Sequence, residues 1–203
     1  TWPRKLQAIF PADWFASHDL VDRTRYDHEP PARMCAVPKT QKGPRLIAAE
    51  PSAHQWIQGG IQRWFEDRIQ SSFLGLSIDF RSQEYSRVLA LEASSSRQFA
   101  TVDLSAASDR LTTRLVQYVF QGNHSLLDAL HACRSRALVI PKGLASFLPT
   151  DDLIILRKFA PMGSACTFPV QTIVFTMIAH FALAMAEQDW DCTHDGFRRR
   201  ASR

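Results

Sequence analysis

Apolar and polar residues alternate over 98–104, and this pattern predicts a β-strand that ends near Asp103. Over 109–121 the apolar residues recur every three or four positions, which predicts a helix. A carboxylate at the end of an apolar strand is costly to bury unless it is paired, hydrogen-bonded or metal-bound. Asp103 is therefore a candidate metal ligand. An ordinary strand-to-helix turn, with Ser108 or Asp109 as the N-cap, explains the same residues.

Helical spacing predicts further helices over 52–70, 82–93, 126–133 and 170–186. The aromatic residues of the first of these are predicted to pack in the core rather than to stack on bases. The last is the most apolar run of the chain, but Gln171 and His180 interrupt it. Because the run is also short for a comfortable membrane span, we predict a buried helix and no membrane partner.

Two hairpins are predicted from apolar runs that flank turn-forming residues. The first covers 34–51, with a Lys-Thr-Gln-Lys-Gly-Pro turn at 39–44. The second covers 137–160, with turns at 141–143 and 149–152. The Asp151-Asp152 pair is interpreted as hairpin-turn chemistry and not as the paired acids of a metal centre.

Composition narrows the class of partner. The 203 residues include 24 Lys and Arg against 20 Asp and Glu, so the net charge is +4. The basic residues cluster, which suits a polyanionic partner better than an acidic substrate. The four cysteines are scattered, which favours a reducing compartment over a disulfide framework. The chain begins at Thr1 with no signal segment, which predicts a fragment or a trimmed chain.

Two loops carry candidate binding chemistry. Lys39, Lys42 and Arg45 lie on the first hairpin, where they could grip phosphates, although a solvated turn explains them equally. The small-residue loop 159–169 opens into the long apolar helix. Its hydroxyls lie near a helix N-terminus, which can bind an anion or a sugar hydroxyl, and simple capping accounts for the same residues.

The order of these motifs resembles that of the RNA-dependent RNA polymerases of leviviruses, the single-stranded RNA phages. Residues 37–51 resemble the basic fingers motif, motif F. Residues 100–109, Ala-Thr-Val-Asp-Leu-Ser-Ala-Ala-Ser-Asp, resemble motif A. Met162-Gly163-Ser164 with Thr167-Phe168 is similar to motif B, where Met-Gly-Asn is common. With the helix at 55–60, the resemblance spans roughly residues 35–186.

The resemblance implies an α+β, right-hand polymerase with fingers and an antiparallel palm sheet. It would add nucleoside triphosphates to an RNA 3′ end on an RNA template, with Asp103 as the catalytic ligand of two Mg²⁺ ions, or of Mn²⁺ in their place. Lys39, Lys42 and Arg45 would neutralise the triphosphate. The implied contacts to the incoming nucleotide are made by Asp109, Gly163, Ser164 and Thr167. Asp109 and Ser164 would sense the ribose 2′-hydroxyl. At position 164 this chain has Ser, where Asn is usual in the family.

The resemblance also implies what is missing. Members of the family carry a motif C, a Gly-Asp-Asp turn between two strands, and nothing after Ala186 has that pattern. We therefore predict an incomplete polymerase that is inactive alone. Its predicted parts are a fingers-like region (1–95) with a basic loop (37–51), a partial palm (96–186) with an inserted hairpin region (137–160), and an irregular, aberrant tail (187–203).

Other functional classes remain open at this point. A non-catalytic RNA-binding module would use the same basic loop without metal. A reverse transcriptase would be a different enzyme built on the same kind of palm. The levivirus resemblance further implies RNA template and product strands as partners, host translation factors, and the cytoplasm of a bacterial host as the location.

Overall fold

The computed structural model describes residues 2–9, 21–22, 29–41, 43–98, 100–145, 153–187, 191 and 193–201. It shows an α+β chain in two compact units, one formed by 1–62 with 108–171 and the other by 63–107 with 172–203. Two of the three unit boundaries fall inside long helices, α2 (Ser52–Gln70) and α7 (Thr167–Glu187), and the third lies between residues 107 and 108.

The first unit contains a four-stranded sheet in the order β4-β3-β5-β6. Its strands are β3 (Ala32–Thr40), β4 (Gly43–Ala49), β5 (Ala137–Val139) and β6 (Leu153–Ile155). The antiparallel β3–β4 and β5–β6 pairs confirm both predicted hairpins, although 146–152 lies outside the described residues and so Asp151-Asp152 is not placed. The sheet is mixed, because β5 pairs in parallel with β3. The long connection between these two strands permits that parallel crossover.

One face of the sheet carries a small apolar core. Alternate residues of β3 and β4 point inward, as the two-residue period of a strand requires. The core consists of Ala32, Met34, Ala48, Leu138 and Ile140, with Ile154 and Leu156 packed against it. The sheet therefore fixes the base of the basic hairpin while its tip extends to solvent.

Helices complete the first unit. The short strands β1 (Trp2–Pro3) and β2 (Val21–Asp22) pair in parallel. Helix α1 (Arg4–Ile9) lies beside them and packs against α5 (His124–Cys133). Helix α4 (Thr113–Phe120) precedes α5 in the chain. A one-turn helix, α6 (Lys142–Ala145), lies where a turn was predicted. The α5 prediction is confirmed.

The start of the predicted 109–121 helix was wrong. Ser108–Arg110 forms a 3₁₀ turn, and α4 begins only at Thr113. The N-cap is Thr112, whose hydroxyl accepts a hydrogen bond from the Leu115 amide at 3.1 Å. The helix cannot start earlier because the Leu111 carbonyl accepts the Phe159 amide at 2.7 Å, which holds the backbone extended there.

The second unit contains the remainder of α2 and α7, a 3₁₀ turn at Phe73–Leu76, and α3 (Glu84–Ser96), which confirms the predicted 82–93 helix. The predicted strand over 98–104 was wrong: residues 101–104 have no regular structure and Val102 is 78% exposed. A strand needs a neighbour for its backbone hydrogen bonds, and no described strand pairs with this segment.

The predicted irregular tail was also wrong over its described part. Residues His194–Ala201 form a helix, α8. The Thr193 hydroxyl accepts the Gly196 amide at 3.3 Å as an N-cap, and Asp191 pairs with Arg199 at 3.0 Å. The helix has no apolar stripe, and Phe197 anchors it instead. The centroid of the Phe197 ring lies 5.0 Å from that of Phe73.

Two predictions of burial were wrong in part, because several apolar side chains are exposed. In α2 the core face is formed by Ile57, Ile61, Phe65 and Ile69, whereas Trp56 is 71% exposed and Trp64 is also exposed. In α7, Val170 and Val174 are buried but Phe181 is 57% exposed, so the helix is only partly buried. Among the described residues, α7 is the one helix whose length and apolar composition would allow a membrane crossing.

Candidate functional site

The Met162-Gly163-Ser164 loop lies directly against strand β4 of the basic hairpin. The Ala48 amide donates to the Met162 carbonyl at 2.7 Å. Gly163 has φ +119°, and a Cβ built on it would lie 2.1 Å from the Ala48 carbonyl oxygen. Only glycine permits this backbone approach. Two motifs that are far apart in the sequence are therefore joined within the first unit.

The loop is further closed by its own hydrogen bonds. Ser164 is buried, and its carbonyl accepts the Thr167 amide at 3.1 Å. The Thr167 hydroxyl donates to the Pro161 carbonyl at 2.9 Å. Thr167 is thus engaged in shaping the loop, through a hydroxyl that donates to a carbonyl. A helix N-cap would instead accept a hydrogen bond from a helix amide.

Gln58, which the sequence analysis missed, ties this loop to the helices. Its side chain is buried; Oε1 accepts the Ala165 amide at 3.2 Å, and Nε2 donates to the Cys133 carbonyl at 2.8 Å. The signal available in the sequence was an amide beside Ile57 on the apolar face of α2. A buried amide survives only when its donors and acceptors are used.

A second buried polar cluster lies where the hairpin enters α2. Ser135 Oγ donates to Glu50 Oε2 at 2.5 Å, and His54 Nδ1 lies 3.4 Å from Ser135 Oγ. Glu50 Oε1 and His54 Nε2 find no hydrogen-bond partner among the described residues. Burial raises the pKa of the Glu50 carboxyl. Burial, and secondarily the Lys5 charge, lowers the pKa of His54 to about 4, so the 4.0 Å contact between Glu50 and His54 is not an ion pair at neutral pH.

We expect this cluster to make stability depend on pH. With a pKa of about 4 instead of 6.5, His54 stays neutral in the folded chain while the unfolded chain takes up a proton as the pH falls below 6.5. The free energy of unfolding therefore falls by up to about 3 kcal/mol as the pH is lowered from 6.5 to 4. Glu50 acts in the opposite sense, because its raised pKa makes stability fall as the pH rises above 4.5.

Urea unfolding of His54→Gln against the unaltered chain isolates the histidine contribution. The difference in unfolding free energy between the two should shrink steadily from pH 7 to pH 5. His124→Gln, at an exposed position, serves as the control and should follow the unaltered chain. A constant difference across this range would contradict the account.

Two of the three predicted phosphate-binding residues, Lys39 and Arg45, are placed on the hairpin. Lys39 is exposed near the end of β3, and Arg45 is exposed on β4 opposite Val37. Lys42 lies outside the described residues. The structure therefore places two of the three cations on one solvent-facing element, as the sequence predicted.

Asp109 and Asp103 belong to different compact units. Asp109 lies in the Ser108–Arg110 turn of the first unit and forms an ion pair with Lys158. Asp103 is exposed in the irregular 101–104 segment of the second unit. Within the described part of the chain, no three His, Cys, Asp or Glu residues gather closely enough to hold a metal ion. The described residues by themselves therefore do not supply the set of oxygen ligands that a Mg²⁺ site requires.

Comparison with known proteins gives a consistent family. The family described as RNA replicase, beta-chain, matches residues 11–193. The chain is 29% identical over 174 residues to the RNA-directed RNA polymerase subunit beta of Enterobacteria phage SP, covering 86% of this chain and 28% of that protein. For the subunit of the same name from Escherichia virus Qbeta, the identity is 30% over 163 residues, covering 80% and 25%. The RNA-directed RNA polymerase beta chain of Escherichia phage MS2 is 29% identical over 143 residues, covering 70% and 23%. The chain thus spans about a quarter of the length of these relatives.

Proposed function

This chain belongs to the RNA replicase beta-chain family, and from that premise we propose that it supplies part of an RNA-directed RNA polymerase. The observation that carries the proposal is the hydrogen bond between Ala48 and Met162, which fastens the small-residue loop to the basic hairpin. The hairpin offers cations for a triphosphate, and the loop offers a close backbone surface for a nucleotide. Their contact within one compact unit supports a nucleotide site formed from both segments.

The proposed reaction is the addition of a ribonucleoside monophosphate to an RNA 3′ end. The 3′-oxygen attacks the α-phosphorus, a new phosphodiester bond forms, and pyrophosphate leaves. Lys39, Lys42 and Arg45 would stabilise the charge on the triphosphate and on the departing pyrophosphate. Asp109 and Ser164 would contact the ribose 2′-hydroxyl that separates RNA precursors from DNA precursors.

For the metal ions, the proposal names one ligand among these residues. We propose Asp103 as one ligand of the Mg²⁺ ions, because it is an exposed carboxylate within the segment that resembles motif A. Mg²⁺ requires several oxygen ligands, and the described residues gather no such set. The proposal therefore includes carboxylates from other parts of a complete family polypeptide, and the 203 residues are expected to be inactive alone.

The proposed architecture is that of a right hand, with fingers at 1–95 and a partial palm at 96–186. RNA template and product strands and nucleoside triphosphates are the proposed partners. The bacterial cytoplasm is the proposed location, and host translation factors are proposed as accessory partners on the strength of the family.

A non-catalytic RNA-binding module is the second candidate function. It is favoured by the exposure of Lys39 and Arg45, together with the lack of a metal-binding group in the described ranges. This alternative predicts RNA binding that does not depend on Mg²⁺ and is unchanged by Asp103→Asn. The polymerase proposal predicts that Asp103 matters to nucleotide addition.

The RNA-binding module requires the hairpin to bind RNA, and this can be measured directly. In Lys39→Ala/Arg45→Ala, the slope of log affinity against log salt for single-stranded RNA should become shallower by about 1.4, since each lost phosphate contact removes about 0.7. Fluorescence anisotropy of a labelled RNA oligonucleotide over a range of salt concentrations gives the slope.

The matched control is Arg81→Ala/Arg87→Ala. It removes the same charge from exposed positions, where Arg81 pairs with Asp67 at 2.6 Å and Arg87 pairs with Glu84 at 2.5 Å. Its salt slope should remain that of the unaltered chain. Equal changes in both double variants would show that net charge, and not the hairpin, governs RNA binding.

A further inference from the structure

Asp109 lies beside a short antiparallel pairing of two chain segments, 111–113 and 157–159. The Phe159 amide donates to the Leu111 carbonyl at 2.7 Å, and Thr112 lies opposite Lys158 as an isolated bridge. Leu111 and Phe159 are both buried. The pairing therefore fixes the backbone that carries Lys158 next to the turn that carries Asp109.

Arg134 holds the other side of this pairing. Its buried guanidinium donates from Nε to the Phe159 carbonyl at 2.8 Å and from Nη2 to the Lys158 carbonyl at 3.0 Å. The Arg134 carbonyl in turn accepts from Lys5 Nζ at 3.2 Å. Burial lowers the pKa of Arg134, yet a guanidinium remains protonated in proteins, so its planar fork keeps both donors.

The Lys158 side chain reaches from this support to Asp109, where Nζ pairs with Oδ1. The Asp109 side chain is 48% exposed and that of Lys158 is 26% exposed. A pair in contact with water adds little to stability, because solvent screens it. Its consequence is instead directional: the ammonium group constrains one carboxylate oxygen and so orients the Asp109 side chain.

The same support leads straight into the small-residue loop. The chain passes from Phe159 through Pro161 to Ser164, and the Ser164 amide donates to the Pro161 carbonyl at 3.4 Å. Ser164 therefore lies on the continuation of the segment whose Lys158 pairs with Asp109, the other residue proposed to contact the ribose.

We propose that Lys158 is a positioning residue that orients the Asp109 carboxylate for recognition of the ribose 2′-hydroxyl. This inference rests on the proposed function, which assigns Asp109 to the sugar of a ribonucleoside triphosphate. It adds a residue outside the three motifs, and it makes sugar discrimination depend on a cation that does not itself contact the sugar.

Equilibrium binding of GTP and of 2′-deoxyGTP to the full chain tests the inference. A carboxylate hydrogen bond to the 2′-hydroxyl should favour GTP by roughly tenfold. Lys158→Met should reduce that preference to about twofold or less, as should Asp109→Asn. Lys158→Arg, which keeps the charge and a donor, should retain most of it. Lys142→Met, which removes an exposed lysine from α6, is the control and should discriminate like the unaltered chain.

Amide hydrogen exchange over 108–113 supplies a measurement that needs no nucleotide. In Lys158→Met we expect faster exchange there, with an unchanged thermal midpoint, because the pair orients the turn but hardly stabilises the fold. If Lys158→Met keeps both the GTP preference and the exchange rates while Asp109→Asn loses the preference, the positioning role is overturned and the proposed function stands. If the unaltered chain shows no preference for GTP, the ribose contact of the proposed function is overturned, and the role of Lys158 in discrimination falls with it.

Discussion

Replacing Gly163 by alanine is expected to lower the free energy of unfolding by about 3 kcal/mol. The residue has φ +119°, a backbone conformation that side chains with a Cβ rarely adopt. The added Cβ would lie 2.1 Å from the Ala48 carbonyl oxygen, which is backbone and cannot rotate away. The loop must either move off β4 or strain both segments. Urea unfolding monitored by tryptophan fluorescence measures the loss.

The control for this substitution is Gly60→Ala. Gly60 is an exposed residue of α2, and nothing lies within 4 Å of the position that its Cβ would take. Alanine should therefore stabilise the chain by about 0.5–1 kcal/mol through helix propensity. An unfolding free energy for Gly163→Ala within about 0.5 kcal/mol of the unaltered chain would show that the loop does not require the close approach to Ala48.

Asp103→Asn is expected to have the largest effect on activity. In the complete reading frame that contains these residues, primer extension should fall by roughly a thousandfold or more, because the amide cannot supply the negative charge of a Mg²⁺ ligand. Stability should hardly change, since Asp103 is exposed in an irregular segment and asparagine has nearly the same shape.

Asp79→Asn is the matched control for that substitution. Asp79 is an exposed carboxylate of the same compact unit, and its Oδ1 accepts the backbone amides of Arg81 and Ser82 at 2.8 and 3.1 Å. Asparagine keeps an oxygen for those amides, so extension should remain at the unaltered level. A comparable loss in both variants would point to a general requirement for negative charge.

The parts of the fold that the sequence predicted well are those whose signal is local. The first hairpin follows from a Lys-Thr-Gln-Lys-Gly-Pro turn between apolar runs, and α2 follows from its helical period. The Met162-Gly163-Ser164 loop was recognisable because small residues mark a close backbone approach. What it approaches, Ala48, lies more than a hundred residues away in the chain and could only come from the structure.

The failures concern properties that depend on neighbours. Residues 100–104 alternate like a strand, but strand formation requires a partner, and the described sheet does not include them. Gln58 and His54 are polar, so hydropathy assigns them to the surface, but both are buried. Hydrogen bonds use both ends of the Gln58 amide, and His54 is buried as a neutral ring. In α8 the ring contacts of Phe197 with Phe73 and His180, together with an N-cap, stabilise a helix that has no apolar stripe.

Primer extension is the most direct test of the central claim that Asp103 serves nucleotide addition in a polymerase larger than these residues. An RNA primer–template is incubated with ribonucleoside triphosphates and Mg²⁺, using the complete reading frame, its Asp103→Asn variant and the 203-residue chain alone. We expect extension by the first and none above background by the other two. Undiminished extension by the Asp103→Asn variant, or extension by the 203-residue chain alone, would contradict this expectation.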